Sequence, residues 1–350
     1  MNMIDRLQID VQRAIKEKTQ IYIQGGQSQF RKPNEHIYSV SLTDEQGILA
    51  YEPTELVVTV KAGTSLRALQ RILAQNNQML AFEPPAPDEN SSIGGCIACN
   101  RSGPRRPFTG SARDFVLGVN IVNGLGEYLK FGGQVMKNVA GYDVSRLMAG
   151  SAGSLAIITQ VSLKVLPLPR LETTIVKSMA VPLAIQTMAT LQNLSYPLSG
   201  LCHIDNTLYV RLSGNVKAVL AAKTKIGGDE FLNAEDFWQK IRDRSHPFFT
   251  TPNTGLWRIL VSPATPMLDI PGQWLIDWGG AQRWLQSERS EDDIRLRTID
   301  HGGLAHSYGT QQAPQTKFHR IEPNIMQLFK RIKTAFDPHG VFYDEHYFQP

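Results

Sequence analysis

The sequence has too few cysteines and too few long apolar runs for several classes of protein. Its 350 residues include only three cysteines, at 96, 99 and 202. That number is too small for a disulfide framework and favours a reducing, cytoplasmic location. No stretch approaches the ~18 apolar residues that a membrane helix needs, and the first residues lack a basic-then-apolar signal pattern. We therefore expect a cytoplasmic protein, with any membrane contact peripheral at the inner face and made through partners.

Strong charge and metal-ligand patterns are also missing. The net charge is +4 without a lysine tract, which permits an anionic ligand but does not indicate nucleic acid. Cys96-Ile-Ala-Cys99 has no second Cys-x-x-Cys and no histidine pair at zinc spacing beside it, so we expect no metal site. The hydrophobic content of 42% is that of an ordinary globular protein, and the length suggests two or three domains.

Glycine is placed where a backbone could approach a ligand closely. A short apolar strand runs into Gly25-Gly26, and a second pair, Gly94-Gly95, follows Ser92. Glycine has no Cβ, so such turns can present main-chain amides to an anion such as a pyrophosphate. The three-glycine dinucleotide fingerprint that opens a helix is absent, which disfavours a classical NAD fold. An ordinary tight turn at 25–26 remains an alternative.

Hydrophobic periodicity predicts a mixture of helices and strands in the first half. Helices are expected at 3–18 and 66–73, and strands at 21–23, 36–42, 57–60, 79–82, 115–122, 127–131, 155–159 and 161–166. Pro167-Leu-Pro then forms a stiff boundary. After it, the order strand, helix, strand, strand, helix over 173–223 suggests a ferredoxin-like half, followed by more strands and a helix over 325–336.

Seven motifs in one order carry a family resemblance. They include Val60-Lys-Ala-Gly-Thr, Ala81-Phe-Glu-Pro-Pro, Ser92-Ile-Gly-Gly and Gly132-Gly-Gln-Val-Met-Lys-Asn-Val-Ala-Gly-Tyr-Asp. The sequence resembles the FAD-binding domain of the vanillyl-alcohol oxidase and p-cresol methylhydroxylase (PCMH-type) superfamily. Within it, the sequence is similar to the family of the smaller, E-type flavin-domain subunits of bacterial glycolate oxidase.

The resemblance implies an α+β fold. We expect a PCMH-type FAD-binding domain of two subdomains over 1–168. A smaller, abbreviated ferredoxin-like α+β domain would cover 169–335, and a C-terminal tail, 336–350, would pack back on the FAD domain.

The resemblance also implies which residues hold FAD. They are Gly25, Gly26, Gln27, Ser28, Pro84, Ser92, Ile93, Gly94, Gly95, Asn100, Gly103, Gly110, Asp114, Gly153 and Ile157. Relatives attach the flavin covalently through a histidine in the glycine turn or a cysteine near the second loop. Because this turn has no histidine, we predict non-covalent FAD.

The function implied is that of an FAD-dependent oxidoreductase subunit in a glycolate oxidase-like complex. A larger, D-type FAD subunit would oxidise glycolate to glyoxylate, and an F-type iron–sulfur subunit would export electrons. This chain has no cysteine pattern for a cluster. Its tail reads Tyr343-Asp-Glu-His where the family has Asn-Pro-Gly-Arg, so we assign no catalytic residue. One alternative is a non-catalytic flavin-binding subunit that stabilises its partner.

Two further groups of residues have competing interpretations. Cys96 and Cys99 have redox-pair spacing at a predicted helix start, where a thiol pKa can fall, but they also suit small buried residues under a cofactor. Arg101, Arg105, Arg106 and Arg113 crowd one loop. They could neutralise a cofactor phosphate, dock an acidic partner or form a solvated face.

Overall fold

A computed structural model describes residues 1–26, 37–133, 142–250, 254–309 and 321–344. Its helices are α1 (Met3–Glu17), α2 (Leu66–Gln75), α3 (Ile93–Ala98), α4 (Arg106–Thr109), α5 (Val144–Met148), α6 (Val181–Gln192), α7 (Val216–Ile226), α8 (Ala234–Asp243), α9 (Glu291–Ile299) and α10 (Pro323–Phe336). None of these helices has the length and apolar character needed to cross a membrane.

The strands form two large sheets and two small ones. They are β1 (Ile21–Gln24), β2 (Tyr38–Ser41), β3 (Ile48–Glu52), β4 (Val57–Lys61), β5 (Gln78–Met79), β6 (Val116–Asn123), β7 (Tyr128–Gly132), β8 (Ala156–Lys164), β9 (Leu166–Pro167), β10 (Leu171–Ser178), β11 (Leu198–Ile204), β12 (Thr207–Gly214), β13 (Asp229–Glu230), β14 (Gly255–Leu260), β15 (Gln273–Asp277), β16 (Gln282–Ser287) and β17 (Leu304–Ser307). The α+β fold class predicted from the sequence is confirmed.

The chain divides into two compact units. The first contains Met1–Ser102, Gly110–Leu168 and the described residues from 321 onward, and the second contains Gly103–Thr109 and residues from 169 up to the end of the described segment at 309. This division differs from the expected domains in two places. The terminal helix α10 belongs to the first unit, and the short segment around α4 belongs to the second.

The first unit is built on a five-stranded antiparallel sheet. Its order is β3-β4-β8-β6-β7, and the central strand β8 is buried along most of its length. The sequence suggested two strands here because the polar pair Thr159-Gln160 interrupts the apolar run, whereas the structure has one strand over Ala156–Lys164. A two-stranded parallel sheet, β1-β2, and the antiparallel pair β5-β9 complete the unit.

Helix α1 follows the predicted pattern closely. The Asn2 side chain accepts a hydrogen bond from the Asp5 amide at 2.9 Å, and this cap satisfies one of the free donors of the first turn. Leu7, Val11 and Ala14 recur at helical spacing and are buried. The helix predicted over 3–18 is therefore confirmed.

The strand predicted over 79–82 is wrong beyond its first residue. Gln78–Met79 pairs with β9, but Leu80, Ala81 and Phe82 form a turn whose side chains are fully buried. Glu83 has a positive φ of 49°, and two prolines follow it. The apolar run therefore reflects packing in the core, not strand periodicity.

The second unit is built on an eight-stranded antiparallel sheet. Its order is β13-β10-β12-β11-β15-β16-β14-β17. The first four strands and the helices α6 and α7 follow each other as strand, helix, strand, strand, helix, strand, which is the ferredoxin-like arrangement. The last four repeat the same spatial order with α9 as their helix. The two halves meet where β11 pairs with β15, at His203 and Ile276.

A buried lysine ties the C-terminal segment to the first unit. The Lys333 ammonium donates to the Asp337 carboxylate at 2.7 Å and to the carbonyls of Ser154 at 2.8 Å and Phe342 at 2.9 Å. The same carboxylate accepts the Phe342 amide. The backbone at 341–343 then pairs with Ile21, whose amide donates to the Val341 carbonyl at 2.7 Å. We call Lys333, Asp337 and these contacts the C-terminal clasp.

We expect Lys333→Met to destabilise the first unit by about 3–5 kcal/mol, because it leaves the buried Asp337 carboxylate without its cation. Lys330→Met, at an exposed position of the same helix, should change stability by less than about 0.5 kcal/mol. Urea unfolding followed by circular dichroism measures both. Tryptophan fluorescence is unsuitable, because all five tryptophans lie in the second unit. Equal stability of the two variants would contradict the clasp.

Candidate cofactor-binding groove

The first unit contains a groove where its glycine turns meet. The groove is open on one side, and its volume is about 900 Å³ when the solvent at its mouth is included. Its wall comes from strands β1 and β8, helices α2 and α3, and the loops before them. The lining residues are Tyr22, Ile23, Gln24, Gly25, Gly26, Leu42, Ala62, Leu66, Pro85, Ser91, Ser92, Gly94, Gly95, Cys96, Ala98, Cys99, Arg101, Ala152, Gly153, Ala156 and Ile158.

The two predicted glycine turns lie against each other. A Cβ added to Gly25 would lie 3.3 Å from the Ser92 Oγ and 3.6 Å from the Gly95 Cα. A Cβ at Gly26 would lie 2.0 Å from the Asn90 carbonyl oxygen, which is too close for any residue other than glycine. The absence of a side chain at 26 is therefore what allows these two segments of backbone to approach each other.

The two turns differ in the amides that they offer. Within the described residues, the amides of Gly25 and Gly26 donate to no acceptor. The Gly94 amide, in contrast, donates to the Ala62 carbonyl at 2.7 Å, and the Gly95 amide donates to the Ser92 Oγ at 3.2 Å. The expectation that both turns present bare amides is therefore wrong for 94–95, whose glycines serve close packing.

Ser92 begins the short helix α3 beside the first turn. Its hydroxyl caps the helix by accepting the Gly95 amide, and it lies in the groove wall next to Gly25. Ile93, which the resemblance also implied, instead points into the core with no exposed surface. Its amide donates to the Thr64 carbonyl, which fixes the start of the helix against the loop that follows β4.

Two predicted residues miss the groove by one position. Pro84 does not line the groove, whereas its neighbour Pro85 does. In β8, Ala156 and Ile158 line the groove, while Ile157 points to the opposite side. Successive side chains of a strand alternate between faces, so the motif located the strand but not its register.

Three predicted residues shape the neighbouring loop instead of the groove wall. Asn100 has a left-handed φ of 47°, and its side chain accepts the Arg113 amide at 3.0 Å. Gly110 has a φ of 105° and lies over Asp114. The Asp114 carboxylate accepts both the amide and the hydroxyl of Ser111 at 2.8 Å.

The charge of Asp114 follows from those contacts. Burial alone would raise the pKa of Asp114. The hydrogen bonds from Ser111 and the positive charges of Arg113 and Arg146 outweigh burial, and the pKa lies below its ordinary value. Asp114 is therefore ionised near neutral pH and acts as a loop cap.

The remaining predicted residues have separate outcomes. Gly153, with a φ of 81°, lines the groove against Ile23. Gly103 belongs to the segment grouped with the second unit, where its carbonyl accepts the Trp278 indole N–H at 3.0 Å. Gln27 and Ser28 lie outside the described residues.

The arginines that are close together in the sequence make different contacts in the structure. Arg101 lines the groove. Arg105 is buried in the second unit, where it pairs with the Glu172 carboxylate and donates to the Ser213 hydroxyl. Arg106 stacks on Trp278, with its Cζ 4.3 Å from the ring centroid. Arg113 is exposed beside Asp114. Of the four, only Arg101 lines the groove, so it is the candidate for binding a cofactor phosphate.

The tyrosine and the two cysteines that line the groove have raised pKa values. Burial raises the pKa of the Cys96 thiol to about 12 and, although Arg101 opposes the effect, that of Cys99 to about 11. Burial, together with the nearby Cys99, also raises the pKa of Tyr22 to about 12. The predicted lowering of a thiol pKa at the helix start is wrong here, because desolvation dominates. All three groups stay protonated at neutral pH.

Sequence reasoning did not name several groove residues. Ala62, Leu66 and Ala152 carry no chemical signal of their own, although Ala62 and Leu66 fall within or directly after a motif quoted for the resemblance. Gly63, beside them, explains that motif, since a Cβ there would lie 1.8 Å from the Leu42 carbonyl oxygen. Within the described residues, no group of three or more histidine, cysteine or acidic side chains could hold a metal.

We expect Cys96 and Cys99 in the folded protein to react slowly with iodoacetamide. A rise of two pKa units, as for Cys99, lowers the thiolate fraction at pH 8 about 100-fold relative to an ordinary thiol. The rate should therefore rise about tenfold per pH unit up to about pH 11. Mass spectrometry of the two cysteines, with the urea-unfolded chain as control, measures this. Alkylation at the unfolded rate would support the thiol-redox alternative.

Comparisons with known proteins identify the family of the chain. The family described as FAD binding domain matches residues 4–132. The glycolate oxidase subunit GlcE of Escherichia coli (strain K12) is 42% identical over 333 residues, covering 95% of this chain and 93% of that protein. The glycolate oxidase subunit GlcD of Bacillus subtilis (strain 168) is 34% identical over 185 residues, covering 49% of this chain and 38% of that protein.

A solved structure shares the fold at much lower identity. Alkyldihydroxyacetonephosphate synthase superposes with a TM-score of 0.67 and 15% identity, over 97% of this chain and 74% of that chain. This likeness concerns the architecture alone. The near full-length match at 42% identity, together with the FAD binding domain, establishes that the chain belongs to the family of the glycolate oxidase subunit GlcE.

Proposed function

We propose that this chain holds one FAD non-covalently in the groove and serves as the FAD-binding subunit of a glycolate-oxidising complex. The observation that carries the proposal is the pair of amides at Gly25 and Gly26, which donate to no acceptor among the described residues. Two adjacent main-chain donors beside a helix start suit a pyrophosphate. The groove residues thus fit the cofactor that the family binds.

The groove residues have distinct proposed roles. The amides of Gly25 and Gly26 and the Ser92 hydroxyl would donate hydrogen bonds to phosphate oxygens. The Arg101 guanidinium would balance the phosphate charge. Leu42, Leu66, Ala156 and Ile158 form the apolar part of the wall, which would exclude water from the cofactor.

The titratable side chains of the groove limit its chemistry. Tyr22, Cys96 and Cys99 remain protonated at neutral pH, so among the described groove residues none is a general base for a hydroxy acid. When bound, FAD would supply the redox chemistry. The chain's own residues would bind and orient the cofactor and keep it dry.

The partners follow from the same proposal. In the complex, a larger FAD subunit of the D type would oxidise glycolate to glyoxylate, and an F-type iron–sulfur subunit would accept the electrons. The absence of a general base among the described residues of this groove also suits the second candidate, a flavin-binding subunit that stabilises its partner without turnover.

We expect the purified chain to carry about one FAD, and to release it on denaturation with trichloroacetic acid, because no described groove residue provides a reactive thiolate or histidine for attachment. Absorbance of the supernatant near 450 nm measures released flavin. Flavin retained in the washed pellet would contradict non-covalent binding, and a folded chain that ignores added FAD would contradict the proposal. Bleaching by glycolate only in the presence of the D-type subunit would place the oxidation there.

We expect Gly26→Ala to lower the bound flavin at least tenfold. The added Cβ meets the Asn90 carbonyl oxygen at 2.0 Å, so the first turn or the 90–91 backbone has to move and the two amides lose their alignment. The flavin-to-protein ratio measures the loss, and circular dichroism confirms folding. Gly255→Ala in strand β14 of the second unit, where the nearest atom to an added Cβ is the Trp257 Nε1 at 3.2 Å, is the control. A folded Gly26→Ala chain with full flavin would contradict the assigned role.

A further inference from the structure

The Lys333 ammonium joins two segments that are far apart in the sequence and that both lead into the groove. It donates to the Ser154 carbonyl at 2.8 Å and to the Phe342 carbonyl at 2.9 Å. Lys333 is buried, so these charge-assisted bonds are made away from water, where they are strong. One side chain thus fixes the distance between the two segments.

The Ser154 carbonyl belongs to a turn that forms part of the groove wall. Ala152 and Gly153 line the groove, and their φ values are 49° and 81°. The Ala152 amide donates to the carbonyl of Ala98 at 2.8 Å, and Ala98 lines the groove as well. An alanine at positive φ keeps that conformation only when its surroundings fix it. The bond from Lys333 to Ser154 is one of the contacts that fix this turn.

The Phe342 carbonyl belongs to the segment that pairs with β1. The Ile21 amide donates to the Val341 carbonyl at 2.7 Å, and the Ile21 carbonyl accepts the Tyr343 amide at 3.0 Å. The Asp337 carboxylate, also part of the C-terminal clasp, accepts the Phe342 amide at 2.8 Å. The position of β1 is therefore set by a segment that the clasp holds.

The two segments meet in the groove. Tyr22 and Ile23 of β1 line it, and the Tyr22 ring lies edge-on to that of Tyr343, with 6.1 Å between the centroids. The Ile23 side chain packs on the turn, since a Cβ added to Gly153 would lie 3.2 Å from the Ile23 Cδ1. Strand β1 then continues into Gly25-Gly26. A shift of either segment would therefore move the two open amides relative to the opposite wall.

We propose that Lys333, which does not itself line the groove, is a positioning residue for the cofactor. It holds β1 and the turn at 152–154 at the separation that FAD requires. The inference rests on the proposed function for the identity of the cofactor. Because the clasp and the groove share these two segments, FAD binding and clasp formation stabilise each other, and the coupling is equal in both directions.

A lysine that only stabilised the fold would behave differently. Its loss would lower the free energy of unfolding but leave the Kd for FAD unchanged, because nearly all chains would still be folded and competent to bind. The loss of a positioning residue changes the Kd of the chain that is still folded. Measurement of Kd and stability on the same samples separates the two roles.

The first test compares Lys333→Met with Leu73→Ala. Leu73 is fully buried near the end of α2, about two turns from the groove-lining Leu66, and belongs to neither the clasp nor the lining. Both changes are strongly destabilising. Titration of the flavin-free full chain with FAD, followed by flavin fluorescence, gives the Kd, and circular dichroism confirms folding. We expect Lys333→Met to raise the Kd at least about tenfold and Leu73→Ala to change it by less than about twofold.

The second test needs no variant. Hydrogen exchange of the parent chain, measured by mass spectrometry with and without FAD, reports the clasp through peptides that cover 337–344. The amides of Phe342 and Tyr343 donate to Asp337 and Ile21, so FAD should slow their exchange. Helix α1, in the same unit but outside the groove lining and the clasp, is the control and should slow much less.

Three results would overturn the positioning role. They are an unchanged Kd in a folded Lys333→Met chain, an equal rise in Kd for both variants, and exchange that FAD slows equally in 337–344 and in α1. If Lys333→Met does not fold, the exchange of the parent chain decides. A folded parent chain that binds no FAD would instead contradict the proposed function, and this inference would fall with it.

Discussion

The close approach of Gly26 to the Asn90 carbonyl is the constraint on which the first unit depends. A separation that leaves no room for a Cβ brings the turn after β1 against the segment that leads into α3. That contact creates the groove, leaves two amides directed to no acceptor among the described residues, and places the Ser92 hydroxyl beside them. Two segments far apart in the sequence can therefore pack together because Gly26 has no Cβ.

The sequence located these segments better than it located individual side chains. The motifs placed the two glycine turns correctly, because a missing Cβ is visible in sequence and has few structural explanations. The motifs named Pro84 and Ile157 where their neighbours line the groove, because a shift of one residue exchanges the two faces of a strand. Gly103 could not be assigned from local pattern, since its partner Trp278 lies 175 positions away. The amides of Gly94 and Gly95 needed coordinates for the same reason, because their acceptors follow from the tertiary path.

The chemistry of the groove is that of binding more than that of proton transfer. Desolvation keeps its two thiols and its tyrosine neutral, so among the described lining residues the charge comes from backbone dipoles and one arginine. Such a site gives the cofactor a fixed electrostatic surrounding. Under the proposed function this groove would hold the cofactor, and proton abstraction from the substrate would need a residue outside the described lining.

The pairing of Ile21 with the backbone around Phe342 has a consequence for biosynthesis. Strand β1 leaves the ribosome long before the segment around Phe342, because most of the described chain lies between them. Contacts of such long sequence separation form late and slowly. During translation the edge of β1 therefore stays unpaired for an extended period. The second unit can complete its own sheet before the segment around Phe342 pairs with β1 in the first unit.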